Sequence, residues 1–295
     1  MRGMTWVAAL ISLGMAVTVD AAVAFGPATV APTAHELTLG KLKVATLHDA
    51  QLVVPNDSKT FGVGADTADV TALLRKGGAP TDRITISVNA LLVRIGHRVV
   101  LIDTGLGQKA HGELLESLHE AGVKPSAVTD VLITHSHADH VGGLIDADGH
   151  LAFPKATIRM SSPEWAFMQS TGSPDVAKIV AKKVRPFELG AEVLPGIKSI
   201  PLKGHTPGHT GYEISSGSQR LLDIGDLAHS SIISLAKPQW GVLFDSDDAA
   251  AKATRAQTLK QLASDQELVF SPHFPFPGIG HIETSGDGFT WKPAN

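Results

Sequence analysis

The sequence predicts an α/β fold, because it contains both strand-like and helix-like runs, and several strand-like runs end in the same kind of loop. These runs are rich in Val, Ile and Leu, and a short loop that carries Asp or His follows each of them. They lie at 99–102, 131–133, 197–202, 221–224 and 267–270. If the strand ends lie together, the loops meet at one rim of the sheets, where a rigid scaffold commonly positions catalytic groups.

One hairpin and several helices can be placed more closely. The runs 83–93 and 98–102 flank a turn at Gly96, which predicts a β-hairpin. Helix-like patterns cover 111–121, 162–170 and 247–263. Ser162 is expected to cap the second of these helices and Ser246 the third, because a serine hydroxyl accepts from the free N–H groups of a first turn.

The most informative segment reads Thr-His-Ser-His-Ala-Asp-His at 134–140. It directly follows the apolar run 131–133, so a strand would deliver its imidazoles and the Asp139 carboxylate into one small volume. Neutral imidazole is the commonest protein ligand for zinc, and carboxylate oxygen often completes the set. The segment therefore predicts a metal site rather than a polar surface loop.

The N-terminus predicts an export signal. Arg2 precedes an apolar run over 6–19, and Ala22-Val23-Ala24 gives the small-x-small pattern of a cleavage site. The apolar run is short for a membrane span and ends at Asp20. Cysteine is absent, which suits an oxidising compartment. We expect a periplasmic or secreted protein that has no membrane attachment after signal cleavage.

Length and composition set further bounds. We expect a signal peptide over 1–24, a flexible leader over 25–40 and one globular domain over 41–295. The 25 Lys and Arg against 29 Asp and Glu give a net charge of −4, without the basic stripe of a nucleic-acid binder. Because the chain has no cysteine, any zinc must be held by nitrogen and oxygen.

The polar motifs taken together resemble the metallo-β-lactamase superfamily. They are His-x-His-x-Asp-His at 135–140, Gly-His-Thr-Pro-Gly-His at 204–209, Gly-Asp at 225–226 and His273. Within the superfamily the likeness is greatest to the methyl parathion hydrolase group and the related acyl-homoserine lactonases. The resemblance spans roughly residues 41–290, and it implies a four-layer αββα sandwich with two metals at one edge.

The same resemblance implies a ligand set for two divalent ions, with zinc as the expected metal. The expected ligands are His135, His137 and His209 for the first ion, Asp139, His140 and His273 for the second, and Asp226 as the bridge. His205 is expected to support its loop instead, and Asp103 to orient the histidine loop. Two metals bridged by a carboxylate can share a hydroxide. This hydroxide forms near neutral pH, because zinc lowers the pKa of bound water to roughly 7 in favourable sites.

The expected function is an exported dinuclear hydrolase that uses this hydroxide on an ester-type bond of a small-molecule substrate. A lactone or carboxylic ester is the first choice, and a phosphotriester is the alternative. A non-catalytic metal-binding protein is the remote alternative from another class. The expected catalytic residues are Asp139, Asp226 and His229. Lactonases of this group place a tyrosine where this chain has His229, which either protonates a leaving alkoxide or faces solvent.

The substrate pocket and the assembly are less constrained. The aromatic residues that follow ligand loops are candidate pocket walls, and they are Trp165, Phe167, Trp240 and Phe244. No nucleic-acid partner is expected. A homodimer remains open, since nothing in the sequence decides the oligomeric state.

Overall fold

The computed structural model describes residues 26–28 and 30–294, so the predicted signal peptide over 1–24 lies outside the described residues. The first sheet has seven strands. They are β1 (Gly26–Ala28), β2 (Thr33–Leu39), β3 (Leu42–Pro55), β5 (Arg83–Ile95), β6 (Arg98–Ile102), β7 (Asp130–Leu132) and β8 (Thr157–Arg159). Their order is β1-β3-β5-β6-β7-β8, and β2 also pairs with β3. β7 runs parallel to β6 and β8, and the other pairs are antiparallel.

The second sheet also has seven strands. They are β9 (Glu192–Leu194), β10 (Ile197–Pro201), β11 (Thr210–Ser216), β12 (Gln219–Asp223), β14 (Leu268–Phe270), β15 (Ile279–Ser285) and β16 (Gly288–Pro293). Their order is β16-β15-β14-β12-β11-β10-β9, and β12 and β14 are parallel. A separate ribbon pairs β4 (Phe61–Val63) with β13 (Gly241–Val242).

The α-helices cover the outer faces of the two sheets. They are α1 (Thr67–Lys76), α2 (Leu114–Glu120), α3 (Ala138–Val141), α4 (Ser162–Phe167), α5 (Pro174–Val180), α6 (Ile233–Ala236) and α7 (Asp248–Asp265). None of the helices in the described part of the chain is both long and apolar enough to span a membrane.

Successive residues of a strand face opposite sides of its sheet, and this alternation divides the buried apolar residues among separate cores. In β7, Leu132 packs between the sheets, whereas Val131 faces the helical layer that contains Leu118 of α2. Tyr212 of β11 contributes to the core between the sheets from the opposite side. Leu259 of α7 belongs to a third cluster on the outer face of the second sheet. The layers are therefore helix, sheet, sheet and helix, which confirms the predicted αββα sandwich.

The expected flexible leader over 25–40 is wrong for the described residues of this segment, 26–28 and 30–40. Most of this segment is paired, since Gly26–Ala28 and Thr33–Leu39 both form antiparallel ladders with β3. Leu39 is buried in the core between the sheets, with Leu37 packed beside it. The abundance of Ala, Pro and Thr does not predict a strand here. The strand is stabilised by pairing with β3 rather than by its own propensity.

The predicted hairpin is confirmed as β5 and β6. The predicted helices exist, but two caps are displaced by one residue. Ser161 rather than Ser162 caps α4, since its hydroxyl accepts from Glu164 N at 3.3 Å. Asp247 rather than Ser246 caps α7, and its carboxylate accepts from Ala250 N at 3.0 Å. Each predicted cap lies beside a second residue of cap-forming type, and only the loop geometry selects between the two.

Asp49 of β3 ties the first sheet to the loop that precedes α2. Its Oδ2 accepts from Leu106 N at 2.7 Å and its Oδ1 from Leu114 N at 3.0 Å. Burial raises the pKa of Asp49 to about 7, although both backbone hydrogen bonds act to lower it. Gly105 lies so close that a Cβ there would come within 2.3 Å of the carboxylate.

We predict that Asp49→Asn lowers the free energy of unfolding by about 1–3 kcal/mol at pH 5, because the amide nitrogen would face a backbone N–H. The raised pKa gives the wild type stability that is present below the ordinary value of 3.8 and is lost as pH rises through about 7. The difference between wild type and variant should therefore shrink by pH 8.

Urea unfolding of metal-free protein at both pH values measures this difference. Asp287→Asn, an exposed turn substitution, is the control and should change stability little. A difference between wild type and Asp49→Asn that is the same at pH 5 and pH 8 would contradict the assigned pKa.

Candidate metal centre

The strand ends bring the polar motifs to one rim, as the sequence predicts. The histidine loop 134–140 follows β7, and Asp226 comes just after β12. His273 follows β14, which is parallel to β12, so both of these loops leave the second sheet at the same end. The short helix α3, a single turn of four residues, contains Asp139 and His140.

The first cluster consists of His135, His137, His205 and Asp226, whose ligand atoms all lie within 4.8 Å of one another. His137 Nδ1 is 3.1 Å from His135 Nε2 and 3.0 Å from His205 Nε2. Asp226 Oδ2 lies 3.2 Å from His205 Nε2 and 3.5 Å from His135 Nε2. Three imidazoles and one carboxylate oxygen thus converge on a single volume.

The second cluster consists of Asp139, His140 and His273. Asp139 Oδ2 lies 3.8 Å from His140 Nε2 and 3.6 Å from His273 Nε2. The other carboxylate oxygen of Asp226, Oδ1, faces this cluster at 3.2 Å from His140 Nε2 and 3.1 Å from His273 Nε2. Asp226 therefore stands between the two clusters with one oxygen toward each, which is the arrangement of a bridging ligand.

The structure places His205 and not His209 in the first cluster, whereas the sequence predicts His209 there. Both ring nitrogens of His209 are already used: Nδ1 donates to Leu202 O at 2.9 Å, and Nε2 accepts from Asp226 N at 2.9 Å. Burial lowers the pKa of His209 to about 3, which keeps Nε2 free to accept. His209 thus supports the backbone of Asp226 from below. The positions are therefore the reverse of the predicted ones, with His205 in the cluster and His209 in a supporting position.

Buried atoms without partners show that the residues fit metal ions. Within the described part of the chain, His140 Nε2, His273 Nε2 and Asp226 Oδ1 are buried and make no hydrogen bond, despite their close approach. Burying such polar atoms without partners is costly, and a cation between them would satisfy all three. The nitrogen and carboxylate donors suit zinc or a similar first-row ion.

The charges within the clusters also favour a cation. Burial alone would raise the pKa of Asp226, but the surrounding imidazoles, led by those of His273 and His140, hold it well below its ordinary value. Burial lowers the pKa of His137 to about 4. Burial acts to lower the pKa of the other histidines too, but Asp226 raises the pKa of His205 to about 9 and raises those of His140 and His273 above their ordinary value. These imidazoles must therefore release protons when a metal binds.

Asp103 lies directly under the histidine loop, where the sequence predicts a supporting role. It follows β6 and adopts a left-handed backbone conformation with φ of 60°. Its Oδ1 accepts from Thr134 N at 2.8 Å, and its Oδ2 lies 2.8 Å from His140 Nδ1. A carboxylate on Nδ1 fixes the ring so that Nε2 points into the second cluster.

Glu164 is a supporting residue that the sequence does not reveal. It is fully buried, and its carboxylate accepts from Ser136 N at 2.7 Å, Thr206 Oγ1 at 2.6 Å and Gly208 N at 3.1 Å. It thereby joins the two loops that carry the first cluster. In sequence, Glu164 reads as an ordinary first-turn acid of a helix, and no local pattern shows its distant partners.

A cavity of about 370 Å³ opens over the two clusters. The clusters form its polar floor, and its walls are mainly apolar. The apolar lining comprises Pro27, Leu52, Phe61, Ile86, Leu106, Ala110, Ala138 and Phe244. Of the four candidate aromatic residues, Phe244 lines this cavity, whereas Trp165 and Trp240 pack against hydrophobic clusters. A larger cavity of about 600 Å³ lies at the opposite end of β12 and contains none of the clustered residues.

His229 is buried at the edge of both the cavity and the clusters, so the alternative of a solvent-facing histidine is wrong. Its Nε2 lies 3.0 Å from Asp226 Oδ2. Its ring stacks on that of His273 with centroids 5.3 Å apart and an angle of 9° between the planes. This position is within reach of a molecule bound over the clusters, and the catalytic role of His229 stays a prediction.

Comparisons with known proteins agree with this geometry. The family model described as the metallo-β-lactamase superfamily matches residues 84–273. AidC, a dizinc quorum-quenching lactonase solved with a product, superposes with a TM-score of 0.83 at 29% identity, covering 90% of this chain and 98% of AidC. The hydrolase AbOPH of the beta lactamase superfamily gives 0.82 at 28% identity, covering 90% of this chain and 99% of that one.

A curated relative matches over a shorter region. Metallo-beta-lactamase domain-containing protein 1 of Xenopus laevis is 37% identical over 121 residues, which is 41% of this chain and 43% of the frog protein. The match thus spans less than half of that relative's length.

We predict that His205→Asn and His209→Asn differ in metal content. His205→Asn should retain close to one equivalent of zinc, because it removes a member of the first cluster. His209→Asn should retain close to two equivalents but unfold at a lower temperature, because it removes two buried hydrogen bonds. Elemental analysis after dialysis, with thermal melts of the same samples, measures both effects.

His119→Asn, on the exposed end of α2, is the control and should match the wild type. The ligand set expected from the sequence would be restored if His209→Asn lost an equivalent while His205→Asn kept two.

Proposed function

The chain belongs to the metallo-β-lactamase superfamily of hydrolases, and we propose that it is a two-metal enzyme that cleaves a lactone or carboxylic ester. The observation that carries this proposal is the Asp226 carboxylate, which presents one oxygen to each of two histidine clusters. A structural zinc site is normally closed, whereas these two clusters lie side by side under an open cavity. This is the argument against a non-catalytic metal-binding protein.

The proposed ligands differ from the sequence prediction by one histidine. They are His135, His137 and His205 for the first ion, Asp139, His140 and His273 for the second, and Asp226 as the bridge. Zinc is the proposed metal, since the first cluster offers imidazole nitrogens together with one carboxylate oxygen. The lactonase AidC, whose fold this chain shares, is described as dizinc.

When bound, the two ions supply Lewis acidity and lower the pKa of water into the neutral range. The protein supplies the geometry. Asp226 and Asp139 lie at the base of the cavity, where their carboxylates would help to hold the ions beneath a reacting carbonyl or phosphoryl group. The apolar walls exclude bulk water, which strengthens electrostatic interactions at the floor. His229 stands beside Asp226, where it can donate a proton to a leaving oxygen.

The cavity lining supports a neutral substrate with an apolar group. Among the described residues that line it there is no Lys or Arg, so no basic side chain on the walls would pair with a substrate carboxylate or phosphate that lies away from the floor. Leu52, Phe61 and Ile86 form an apolar wall that suits an alkyl or aryl group. An uncharged phosphotriester satisfies the same conditions and stays the second candidate.

The remaining parts of the proposal rest on the sequence. We propose that the protein is exported and acts on a small molecule in the periplasm or outside the cell. We propose no nucleic-acid partner and no membrane attachment after signal cleavage, and a homodimer stays open.

We predict that protein loaded with two equivalents of Zn²⁺ hydrolyses an aryl hexanoate better than the matching aryl ester of adipic acid. The two substrates share a leaving group and chain length, but the second carries a terminal carboxylate. Burying that charge without a partner is costly, so kcat/KM should fall by about tenfold or more. A neutral lactone and a phosphotriester in the same panel rank the two candidate functions.

Protein stripped of metal by a chelator is the control, and added Zn²⁺ should restore hydrolysis. Asp226→Asn should bind zinc more weakly, because removal of the bridging charge leaves two cations facing each other. Absence of turnover on every neutral substrate, with two equivalents bound, would favour a metal-binding protein without catalysis.

We predict that His229→Ala separates substrates by leaving group. For poor leaving groups such as lactone alkoxides, kcat should fall by roughly 10²-fold or more, because proton donation is lost. Activated aryl leaving groups need no proton and should be much less affected. Steady-state kinetics on a lactone and an aryl ester of similar size make the comparison, and equal small effects on both would remove His229 from the mechanism.

A further inference from the structure

We propose that Arg255 and Asp245 are positioning residues for His205, so that the C-terminal helix α7 controls the first metal cluster. The proposal rests on the proposed role of His205 as a metal ligand. Neither residue touches the cavity floor, and each acts through its neighbour.

A chain of charged contacts runs from α7 to the cluster. Arg255 Nη2 donates to Asp245 Oδ2 at 2.9 Å, and Asp245 Oδ1 lies 2.9 Å from His205 Nδ1. All three side chains are at most 2% exposed. With Nδ1 on the carboxylate, the lone pair of Nε2 is left to face His137 and Asp226. The chain therefore sets both the tautomer and the ring orientation of His205.

Arg255 also holds two backbone segments that surround the site. Its Nε donates to Leu227 O at 2.7 Å, directly after the bridging Asp226. Its Nη1 donates to Pro238 O at 3.1 Å and to Trp240 O at 3.2 Å, in the segment that leads to the cavity wall. One guanidinium thus joins the bridging loop, the wall segment and the support of His205.

The backbone at the start of α7 reinforces this connection. Ser246 N donates to His205 O at 2.9 Å, and Asp247 N donates to Gly204 O at 2.9 Å. Gly204 has a φ of 120°, and a Cβ there would come within 2.1 Å of Ala251 N. The His205 loop is therefore pressed against α7, and a side chain at position 204 would push the two apart.

The chemistry of a buried arginine favours a positioning role over simple packing. A buried ion pair is weak evidence for stability, because apolar residues of similar size often replace one at no cost. Here the guanidinium donates to four acceptors, each at a defined point around the metal clusters. Its planar fork gives directed hydrogen bonds that a lysine at the same position could not all make.

We test the proposal by measuring the affinity for Zn²⁺, by competition with a chromophoric chelator, in the wild type, Asp245→Asn, Arg255→Lys and Arg255→Met. Asp245→Asn should weaken one of the two equivalents by about 10–100-fold and leave the other nearly unchanged. Arg255→Met should do the same, with Arg255→Lys between it and the wild type. The double variant Asp245→Asn/Arg255→Met should bind no more weakly than Asp245→Asn, because both changes break one chain.

Asp130→Asn is the matched control, since Asp130 is a buried partner of Arg98 and Arg159 at the start of β7, away from the clusters. It should lower the melting temperature of metal-free protein but not the zinc affinity. If Arg255→Met fails to fold, the zinc affinities of Asp245→Asn and Arg255→Lys still test the proposal. The proposal is overturned if the variants bind both equivalents as the wild type does, or lose only melting temperature as Asp130→Asn does. Failure of the wild type to bind two equivalents would instead refute the proposed function.

Discussion

The rest of the structure depends on one buried carboxylate held between two groups of imidazoles. Asp226 is 3% exposed, and its oxygens lie 3.0–3.5 Å from imidazole nitrogens of five histidines. So many buried nitrogen and oxygen atoms need protons or cations between them, and the loops that carry them are held by further hydrogen bonds. The αββα sandwich meets this demand by ending strands of both sheets at one rim. Parallel neighbours such as β12 and β14 deliver their loops side by side without any crossing of the site.

Beneath the two clusters lies a second layer of polar side chains that fixes the positions of the clustered residues. Asp103 orients His140, while Glu164 joins the two loops of the first cluster. His209 supports the backbone of Asp226, and Gly225 allows this, because a Cβ there would come within 2.5 Å of His209 Nε2. A side chain that is already held by its own hydrogen bond loses little entropy when a metal binds, so these supporting residues contribute to metal affinity.

The sequence predicts the strands, the rim and the residue types of the site, but not every identity within it. Strand and ligand motifs are local, so β7 and the histidine loop can be read directly from 131–140. The choice between His205 and His209 is not local, since it depends on where Leu202 O and Asp226 N lie after folding. The partners of Glu164 are 28 and 42 residues away, and the pairing of 33–39 depends on the exposed edge of β3. Composition does not show which distant residues a segment contacts, and the differences at the leader and at His205 and His209 arise from this.

One segment of this fold contributes both to the support of a proposed metal ligand and to the wall of the substrate cavity. A two-metal site can promote hydrolysis of a lactone, an ester or a phosphotriester, so selectivity between these substrates must come from the cavity walls. The segment 238–245 contributes Phe244 to those walls and Asp245 to the support of His205, only one residue later. On the proposed role of Arg255, which holds Trp240 O as well as Asp245, the wall cannot be reshaped without also moving a ligand. Substitutions that change specificity here should therefore also change zinc affinity. The opposite wall, formed by Leu52 and Ile86 of the first sheet, is free of that constraint and can vary with the substrate alone.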